Sequence, residues 1–378
     1  MPTPQERPRK KSPGTGNAIA GHATSSGTAR FARRFAVGHS SDSYRPLAGG
    51  NLVSSIGMGT YLGDCNDAED ARYVTVLAAG VERGFNLIDT AINYRCQRSE
   101  RAVGRAIRRA VDLGLAHRDE IVVSTKGGYI PLEGSPPASR ALYDGYLASE
   151  YFDRGVMTAA DVVAGGHSIA PSFLADQIQR SLHNLGIGTI DIYYLHNPEQ
   201  QRSTLAPQPF HEALLRAFVE LESQVAVGTI RSYGCATWTG FRVHPASAGH
   251  LSLEEIVSVA RDAGGPSHHF RVVQLPINLA MTEGIRIPTQ SISGRQVPLL
   301  EAAAELGVSV IASASLMQSQ LTHSLPAELA AAFPSLDTDA QRAIAFVRSL
   351  PVAAALVGMR SLDHLAENLS AMREVIPA

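Results

Sequence analysis

Short apolar runs that end in one polar side chain recur along the chain, and three of them follow one another. They are residues 85–94 (FNLIDTAINY), 121–126 (IVVSTK) and 190–196 (IDIYYLH). A run of this length that stops at a polar residue is typical of a buried parallel strand that carries a functional group to the rim of its sheet. We therefore predict that Asp89, Lys126 and His196 meet at one rim, with Tyr94 just beyond the first of these strands.

The rest of the chain alternates apolar runs with helical periodicity. Between residues 68 and 83, for example, apolar side chains recur at helical spacing, and Gly84 ends the pattern. Eight such strand-then-helix units predict a single-domain (β/α)8 TIM barrel. A doubly wound sheet is disfavoured because it typically has fewer strands. No G-x-G-x-x-G motif follows any strand, so a Rossmann half-domain is not supported.

One connection is far longer than the others. The loop after strand three, residues 127–171, contains prolines, several tyrosines and His167. Connections of this length are usually functional or disordered, and the aromatic residues favour order. We expect this loop to cover the substrate side of the barrel, with Tyr129, His167 and Trp238 as candidate pocket walls.

Charge and cysteine usage narrow the class of protein. The 378 residues carry a net charge of -2, so the overall charge does not favour binding to nucleic acid or to an acidic membrane. No apolar run approaches the roughly 20 residues that span a bilayer. The three cysteines, Cys65, Cys96 and Cys235, lack C-x-x-C spacing, which disfavours a disulfide framework or a structural zinc site and favours the reducing cytoplasm.

The N-terminal segment has a different composition from the rest. Residues 1–42 are rich in Ser, Thr, Gly, Pro and Arg and poor in acids, which predicts a disordered basic tail. An organelle transit peptide is a weaker alternative on the same composition. The barrel domain is expected to occupy residues 43–378.

The residues at the predicted rim form a set suited to proton transfer. A phenol titrates near ~10, and an adjacent ammonium favours its ionised form, so Lys126 is expected to bring Tyr94 toward the working range of a general acid. Asp89 would hold Lys126 charged, and His196 would donate a hydrogen bond to a carbonyl oxygen. Taken singly, these residues also fit a turn, a solvated strand end, a loop contact and a packing aromatic. Their joint placement favours reduction of a carbonyl by a hydride from a cofactor.

From about Tyr44 onward the sequence resembles the aldo-keto reductase family in unbroken order. The matching motifs are IGMGTYLG, GFNLIDTAINYRCQRSERAVGRAI, IVVSTK, LGIGTIDIYYLHNP, GTIRSYGCATW, VVQLPINL and AALVGMRSLDHLAENL. The resemblance implies an enzyme that reduces an aldehyde or ketone reversibly, with Asp89, Tyr94, Lys126 and His196 as its catalytic residues. It also implies that the donor is NADPH, with NADH as the alternative, bound extended without a Rossmann fold.

The same resemblance implies a set of cofactor-binding positions along the catalytic face. They are Gly59, Thr60, Tyr61, Gln274, Thr237 and Ser313 at the nicotinamide, Leu316 and Gln318 at the pyrophosphate, and Gly358, Met359, Arg360, Ser361, His364, Glu367 and Asn368 at the adenosine. Thr237 and Ser313 depart from the usual residues beside the nicotinamide. His364 stands where a second arginine is common, and since imidazole has no permanent charge this weakens the expected preference for NADPH.

Two other functions fit parts of the sequence. A cofactor-binding redox-sensing or interaction protein with little turnover fits the altered nicotinamide contacts and the long loop. A metal-dependent hydrolase built on Asp89 and His196 would need a second histidine at these strand ends, and the sequence offers none there. His268 and His269 precede a strand, so no metal is assigned. The expected partner is a small carbonyl compound, whose identity the sequence does not define, and the oligomeric state is likewise left open.

Overall fold

The computed structural model describes residues 18–375 and contains twelve strands. In chain order they are β1 (Tyr44–Pro46), β2 (Leu52–Ser54), β3 (Ile56–Gly59), β4 (Leu87–Asp89), β5 (Val122–Gly127), β6 (Ile190–His196), β7 (Ile230–Ala236), β8 (Phe270–Pro276), β9 (Gln290–Ile292), β10 (Arg295–Val297), β11 (Ser309–Ser313) and β12 (Ala354–Gly358). Eight of them close into a barrel in the order β11-β12-β3-β4-β5-β6-β7-β8. All neighbouring barrel strands run parallel, so their carboxyl ends form one face.

Helices connect the barrel strands and cover the outside of the barrel. They are α1 (Ser25–Arg34), α2 (Asp67–Glu82), α3 (Arg98–Asp112), α4 (Arg140–Leu147), α5 (Pro171–Leu185), α6 (Glu199–Thr204), α7 (Pro207–Ala226), α8 (Leu253–Gly264), α9 (Glu283–Arg286), α10 (Leu299–Glu305), α11 (Ala327–Ala332), α12 (Asp339–Arg348) and α13 (Leu362–Arg373). The predicted single-domain (β/α)8 barrel is confirmed. None of the helices within residues 18–375 is both long and apolar enough to cross a membrane.

Alternation along the strands decides which side chains fill the barrel. The interior cluster includes Leu87, Val122, Ile192, Tyr194, Ala236, Val272, Ile311, Ala354 and Leu356. Asp89, Lys126 and His196 lie an even number of residues beyond interior residues of their own strands, so they point to the same side. The same two-residue alternation that places apolar side chains in the barrel interior therefore places these polar groups at the carboxyl end of the barrel.

The apolar run at residues 53–58 does not form one continuous strand. The chain forms β2 and β3 there separately. β2 pairs antiparallel with β1, and β3 enters the barrel between β12 and β4. The N-cap of α3 is Gln97, with φ of 70°. Ser99, a residue type common at N-caps, lies inside the helix and donates from Oγ to the Thr60 carbonyl at 2.8 Å.

The segment before residue 43 also differs from the expected disorder. Helix α1 forms there, capped by the side chain of Thr24, which accepts a hydrogen bond from the Gly27 amide. Phe31 is fully buried and its ring lies 6.2 Å from that of Tyr44, edge to face. The first 17 residues of the predicted tail lie outside the described residues.

Two arginines of α1 explain why a basic segment orders on this barrel. Arg30 Nε and Arg34 Nη2 contact Glu120 Oε1 at 2.9 and 2.5 Å, and that carboxylate is buried. Both arginines keep about two-fifths of their side chains exposed, 44% and 39%. The expectation of disorder is wrong for α1. Composition shows that the segment is basic, but it does not show that the buried Glu120 forms ion pairs with two of its arginines.

The long loop after β5 is ordered and has its own small core. α4 continues into a π-helical turn, Ala148–Phe152, and five side chains pack together beneath them. They are Ile130, Leu147, Tyr151, Met157 and Phe173, the last of which belongs to α5. The loop is therefore fixed to the outer helices beside the face formed by the carboxyl ends of the barrel strands.

Candidate functional site

An ion pair between neighbouring strands forms the base of the site. Lys126 Nζ donates to Asp89 Oδ2 at 2.6 Å and to the Thr90 carbonyl at 2.8 Å. The second carboxylate oxygen, Asp89 Oδ1, accepts from Ser124 Oγ at 2.7 Å and from Gln274 Nε2 at 2.9 Å. The two charged side chains are 1% and 6% exposed. A buried pair in which the lone pairs and protons have partners is stable because neither charge is left uncompensated.

Tyr94 lies directly against this pair. Lys126 Nζ is 4.9 Å from the centroid of the Tyr94 ring. Burial alone would lower the pKa of Lys126, but the charge of Asp89, with the Tyr94 phenol, outweighs it and raises that pKa. Burial is also the largest influence on Tyr94 and raises the pKa of its phenol, an effect that Lys126 only partly offsets. The expectation that Lys126 would bring Tyr94 down toward neutrality is therefore wrong in this structure, and the phenol stays protonated at neutral pH.

His196 completes the cluster from β6. Its ring lies 5.8 Å from that of Tyr94 and 5.0 Å from that of Tyr129, in both cases edge to face. Burial, followed by the charge of Lys126, lowers the pKa of His196 well below its usual range, so the imidazole is neutral. Its Nδ1 is buried without a hydrogen-bond partner among the described residues. A buried nitrogen without an acceptor is better unprotonated, which assigns the ring proton to Nε2.

His167 does not form a pocket wall as predicted, because its ring is fully buried behind the site. Its Nε2 lies 2.7 Å from the His196 carbonyl oxygen, which can only accept, and its Nδ1 lies 3.0 Å from Gln201 Nε2, which can only donate. These partners fix one tautomer with the proton on Nε2. Burial lowers the pKa of His167 to about 4. The residue therefore supports the backbone of His196.

A cavity of about 480 Å³ lies over the cluster and extends across the barrel mouth. Its volume is within the range of ligand pockets. The predicted residues in its wall are Asp89, Tyr94, His196, Tyr129, Trp238, Gly59, Thr60, Tyr61, Ser313, Leu316, Gln318 and Gly358. Twelve of the predicted positions thus meet around one space that runs from the cluster to the end of β12.

The other predicted cofactor positions lie outside that wall. Thr237 and Gln274 are buried just below it, the first with an unpaired Oγ1 and the second bonded to Asp89. Met359 is fully buried in the outer core, so only its backbone can face a ligand. The remaining positions lie around α13: Arg360, Ser361, His364, Glu367 and Asn368.

Four of these residues are already bonded or buried within the protein. Ser361 is the N-cap of α13 and accepts from the His364 amide at 3.1 Å. Glu367 Oε1 accepts from Thr338 Oγ1 at 2.6 Å, and Asn368 is 2% exposed. Arg360 forms an ion pair with Glu69 at 2.8 Å.

Left-handed backbone is concentrated at the loops that carry the site. Arg95, Cys96 and Gln97, directly after Tyr94, have φ of 49°, 54° and 70°, and Asn197, directly after His196, has φ of 51°. The loop after β11 has five more such residues: Ala314, Met317, Gln318, Ser319 and Ser324. Non-glycine residues in this region cost on the order of 1–3 kcal/mol each and cluster where a chain is shaped around a ligand.

Several polar residues of the site were missed by sequence reasoning. Ser124 could have been found, because it lies two residues before Lys126 and so faces the same side. Ser315 and Asn197 line the cavity from loops that carry no periodic signal. Glu199 is 4% exposed, and its Oε1 accepts from the amides of Trp238 and Thr239 at 2.7 and 3.0 Å. It therefore holds the loop that carries Trp238.

The opposite end of the barrel has a wider cleft of about 630 Å³ near the amino ends of β11 and β12. Arg45 and Arg348 line it, but their guanidinium groups already donate to backbone carbonyls and to Ser55 Oγ. The cleft is thus separate from the polar cluster. Across the part of the chain that the structure describes, no three His, Cys, Asp or Glu side chains lie close enough together to hold a metal ion.

Part of the sequence is similar to known proteins. A family model for the Aldo/keto reductase family matches residues 55–264. An aldo-keto reductase family 1 member C23-like protein from Equus caballus is 24% identical over 51% of this chain and 43% of its own. The NADH-specific methylglyoxal reductase of Escherichia coli K12 is 28% identical over 40% of this chain and 37% of its own. The matched part thus spans less than half the length of either relative.

A solved structure resembles nearly the whole chain. An aldo/keto reductase from Klebsiella pneumoniae, crystallised with NADP and acetate, aligns over 89% of this chain and 91% of its own, with a TM-score of 0.59. The two sequences are 22% identical. Similarity at this level shows that the fold is shared.

Proposed function

Since the chain belongs to the aldo/keto reductase family, we propose that it is an oxidoreductase that reduces an aldehyde or ketone to an alcohol, reversibly, with NADPH or NADH. One observation carries the proposal. A protonated tyrosine, a neutral histidine and a buried lysine–aspartate pair converge at the base of a cavity large enough for a ligand. Such a set can protonate an oxygen while stabilising the charge that develops on it.

The residues around the cavity fit a nicotinamide dinucleotide. Two buried hydroxyl oxygens, Thr237 Oγ1 and Ser315 Oγ, lack partners among the described residues and could bond a carboxamide or a phosphate. At the far end, Arg360 and the amino end of α13 offer positive charge to a phosphate. When bound, the reduced nicotinamide supplies the hydride that no side chain can provide.

The four residues of the cluster would share the work of protonation. Tyr94 donates its proton to the carbonyl oxygen, because its raised pKa keeps the phenol protonated at neutral pH. His196 donates a second hydrogen bond from Nε2 and holds the oxygen in place. Lys126 stabilises the phenolate that remains, and Asp89 keeps Lys126 charged and oriented. In the oxidative direction the same phenolate would take the proton back from the alcohol.

The substrate side of the cavity is formed by aromatic and amide groups. Tyr129 presents a hydroxyl that accepts from Asn197 Nδ2 at 2.9 Å, and Trp238 is 45% exposed at the opening. Tyr61 packs edge to face on Tyr94 at 5.0 Å. A small carbonyl compound with an apolar or aromatic body fits these walls. Methylglyoxal, for which the Escherichia coli relative is named, is a suitable test substrate beside an aromatic aldehyde.

Replacing the proton donor tests the mechanism. We expect Tyr94→Phe to lower kcat for carbonyl reduction by about 10²- to 10⁴-fold, the usual contribution of a general acid. Cofactor affinity should change by no more than a few-fold, because the ring remains. Multiple-turnover oxidation of NADPH and NADH, together with cofactor titrations, measures both quantities.

A matched control separates this effect from the mere loss of a hydroxyl. Tyr143→Phe makes the same chemical change in the long loop, where the hydroxyl donates to the Gly165 carbonyl outside the cavity, and should leave turnover unchanged. Unimpaired turnover in Tyr94→Phe would contradict the proposed mechanism. Cofactor binding by the wild-type protein without turnover of either aldehyde would instead favour the redox-sensing or interaction protein as the function.

A further inference from the structure

A carboxylate in the first turn of α2 lies between two guanidinium groups. Glu69 Oε1 is 2.8 Å from Arg360 Nε, and Glu69 Oε2 is 3.2 Å from Arg72 Nη1. The Glu69 side chain is 4% exposed, whereas those of Arg360 and Arg72 are 41% and 61% exposed. The acid is therefore fixed inside the protein, while both cations keep access to solvent.

Barrel closure brings these residues together. β12 pairs in parallel with β3, and Gly358 is in register with Gly59. The loop after β12, which carries Arg360, therefore lies beside the loop after β3, which leads into α2. Gly63 of that second loop, with φ of 108°, packs so closely on Glu69 that a Cβ there would lie 2.6 Å from Oε1. A glycine at this position lets the loop cover the carboxylate.

The contact between Glu69 and Arg360 is close but poorly directed. The two atoms are within ion-pair distance, yet Glu69 Oε1 has no hydrogen bond of acceptable geometry among the described residues. Attraction in this pair is therefore mostly Coulombic, and without a directed, bidentate bond it lacks the strength of the best arginine–carboxylate pairs. A stronger anion near Arg360 could compete for the guanidinium.

NADPH and NADH differ in such an anion, because only NADPH carries a phosphate on the adenosine ribose. A phosphate gains from the amino end of a helix and from a neighbouring arginine, and both are present where α13 begins. A buried carboxylate 2.8 Å from the same arginine cancels much of that gain. NADH loses little, since it presents a neutral hydroxyl at this position.

We propose that Glu69 is a specificity-determining residue that reduces discrimination between NADPH and NADH by holding Arg360 in an ion pair. This inference rests on the proposed function, because it requires that the cavity binds a nicotinamide dinucleotide. Glu69 itself acts through Arg360 and need not touch the cofactor.

Removing the charge of Glu69 without changing its shape tests the proposal. In Glu69→Gln we expect the affinity for NADPH to rise by up to about fivefold, the upper end of the range for one partly exposed ion pair. The affinity for NADH should stay within twofold, which also reports that the variant is folded. Binding is measured by quenching of the emission of Trp238, the chain's single tryptophan, which lines the cavity. Calorimetric titration with adenosine 2′,5′-bisphosphate and 5′-AMP isolates the phosphate contribution.

Asp67→Asn is the matched control. Asp67 lies in the same first turn of α2, its side chain is 99% exposed, and it pairs with Arg98 instead of Arg360. The substitution changes net charge by the same amount, so it should leave the ratio of the two affinities unchanged. An equal rise in Asp67→Asn would overturn the proposal, because the effect would then come from overall charge.

Arg360→Ala tests whether Glu69 acts through Arg360. In that background Glu69→Gln should have no further effect on the ratio of affinities, and a rise there would overturn the role of Arg360. An unchanged ratio in Glu69→Gln alone would overturn the inference while leaving the proposed function intact. Failure of the wild-type protein to bind either dinucleotide would overturn the proposed function itself.

Discussion

An ion pair lies near each end of the cavity, and the two pairs differ in burial and in hydrogen bonding. At the end below Tyr94, Lys126 and Asp89 are 1% and 6% exposed and 2.6 Å apart, with further hydrogen bonds on both groups. At the far end, Glu69 is equally buried, but Arg360 is 41% exposed and the contact lacks hydrogen-bond geometry.

This difference separates a fixed contact from an adjustable one. A buried pair with hydrogen bonds on both groups holds one protonation state and one geometry, which the proposed proton transfer would require. An ion pair with one exposed partner is weaker and can exchange that partner for a ligand. Under the proposed function, the chemistry would therefore be fixed at one end and the choice of cofactor adjustable at the other.

Breaking the inner pair should have the largest effect. Asp89→Asn removes the charge that holds Lys126, and leaving a buried ammonium unpaired costs about 3–5 kcal/mol. The pKa of Lys126 should fall as well, because the charge of Asp89 is what raises it against burial. Denaturant unfolding at neutral pH measures the loss of stability. A change below about 1 kcal/mol in the free energy of unfolding would contradict the view that the buried Lys126 charge depends on Asp89.

The burial of neutral His167, which bonds the His196 carbonyl, should affect how the free energy of unfolding depends on pH. The pKa of His167 is about 4 in the folded protein and near 6.5 when unfolded, so the unfolded chain binds the proton first as pH falls. Stability from this residue is therefore complete above the unfolded value and is lost as pH falls toward 4, by about 3 kcal/mol at most. His167→Gln keeps a donor and an acceptor but cannot titrate, so its unfolding free energy should fall less over this window.

His183→Gln is the control for that slope. His183 lies exposed on α5, and its replacement should leave the pH dependence of unfolding as in the wild-type protein. If His167→Gln has the slope of the wild type, then His167 is not the buried neutral group described above. Some slope will remain in any case, since burial lowers the pKa of His196 in the same direction.

The smallest effect on stability is expected at the outer pair. Glu69→Gln should change the free energy of unfolding by less than about 1 kcal/mol, because one partner is exposed and screened by solvent. High salt should reduce this difference further, since mobile ions screen exposed charges. Unfolding curves at low and high salt check both points. A loss comparable to that of Asp89→Asn would show that the two ends are equally rigid.

The sequence by itself determined the barrel and the members of the polar cluster at its carboxyl end. Strands that alternate with helices require parallel pairing, and parallel strands bring their carboxyl ends to one face. A period of two then places Asp89, Lys126 and His196 on the inner side of their strands. These are local properties, so they can be derived from the order of residues alone.

Only the tertiary structure decided the properties that depend on contacts between distant segments. Burial of Tyr94 outweighs the charge of Lys126, whereas the sequence predicted the opposite balance. Helix α1 orders because Phe31 is buried and Glu120 receives two of its arginines. Glu69 meets Arg360 only because β12 closes the barrel on β3. Desolvation and long-range pairing depend on which groups surround a residue in space, and the order of residues along the chain does not contain that information.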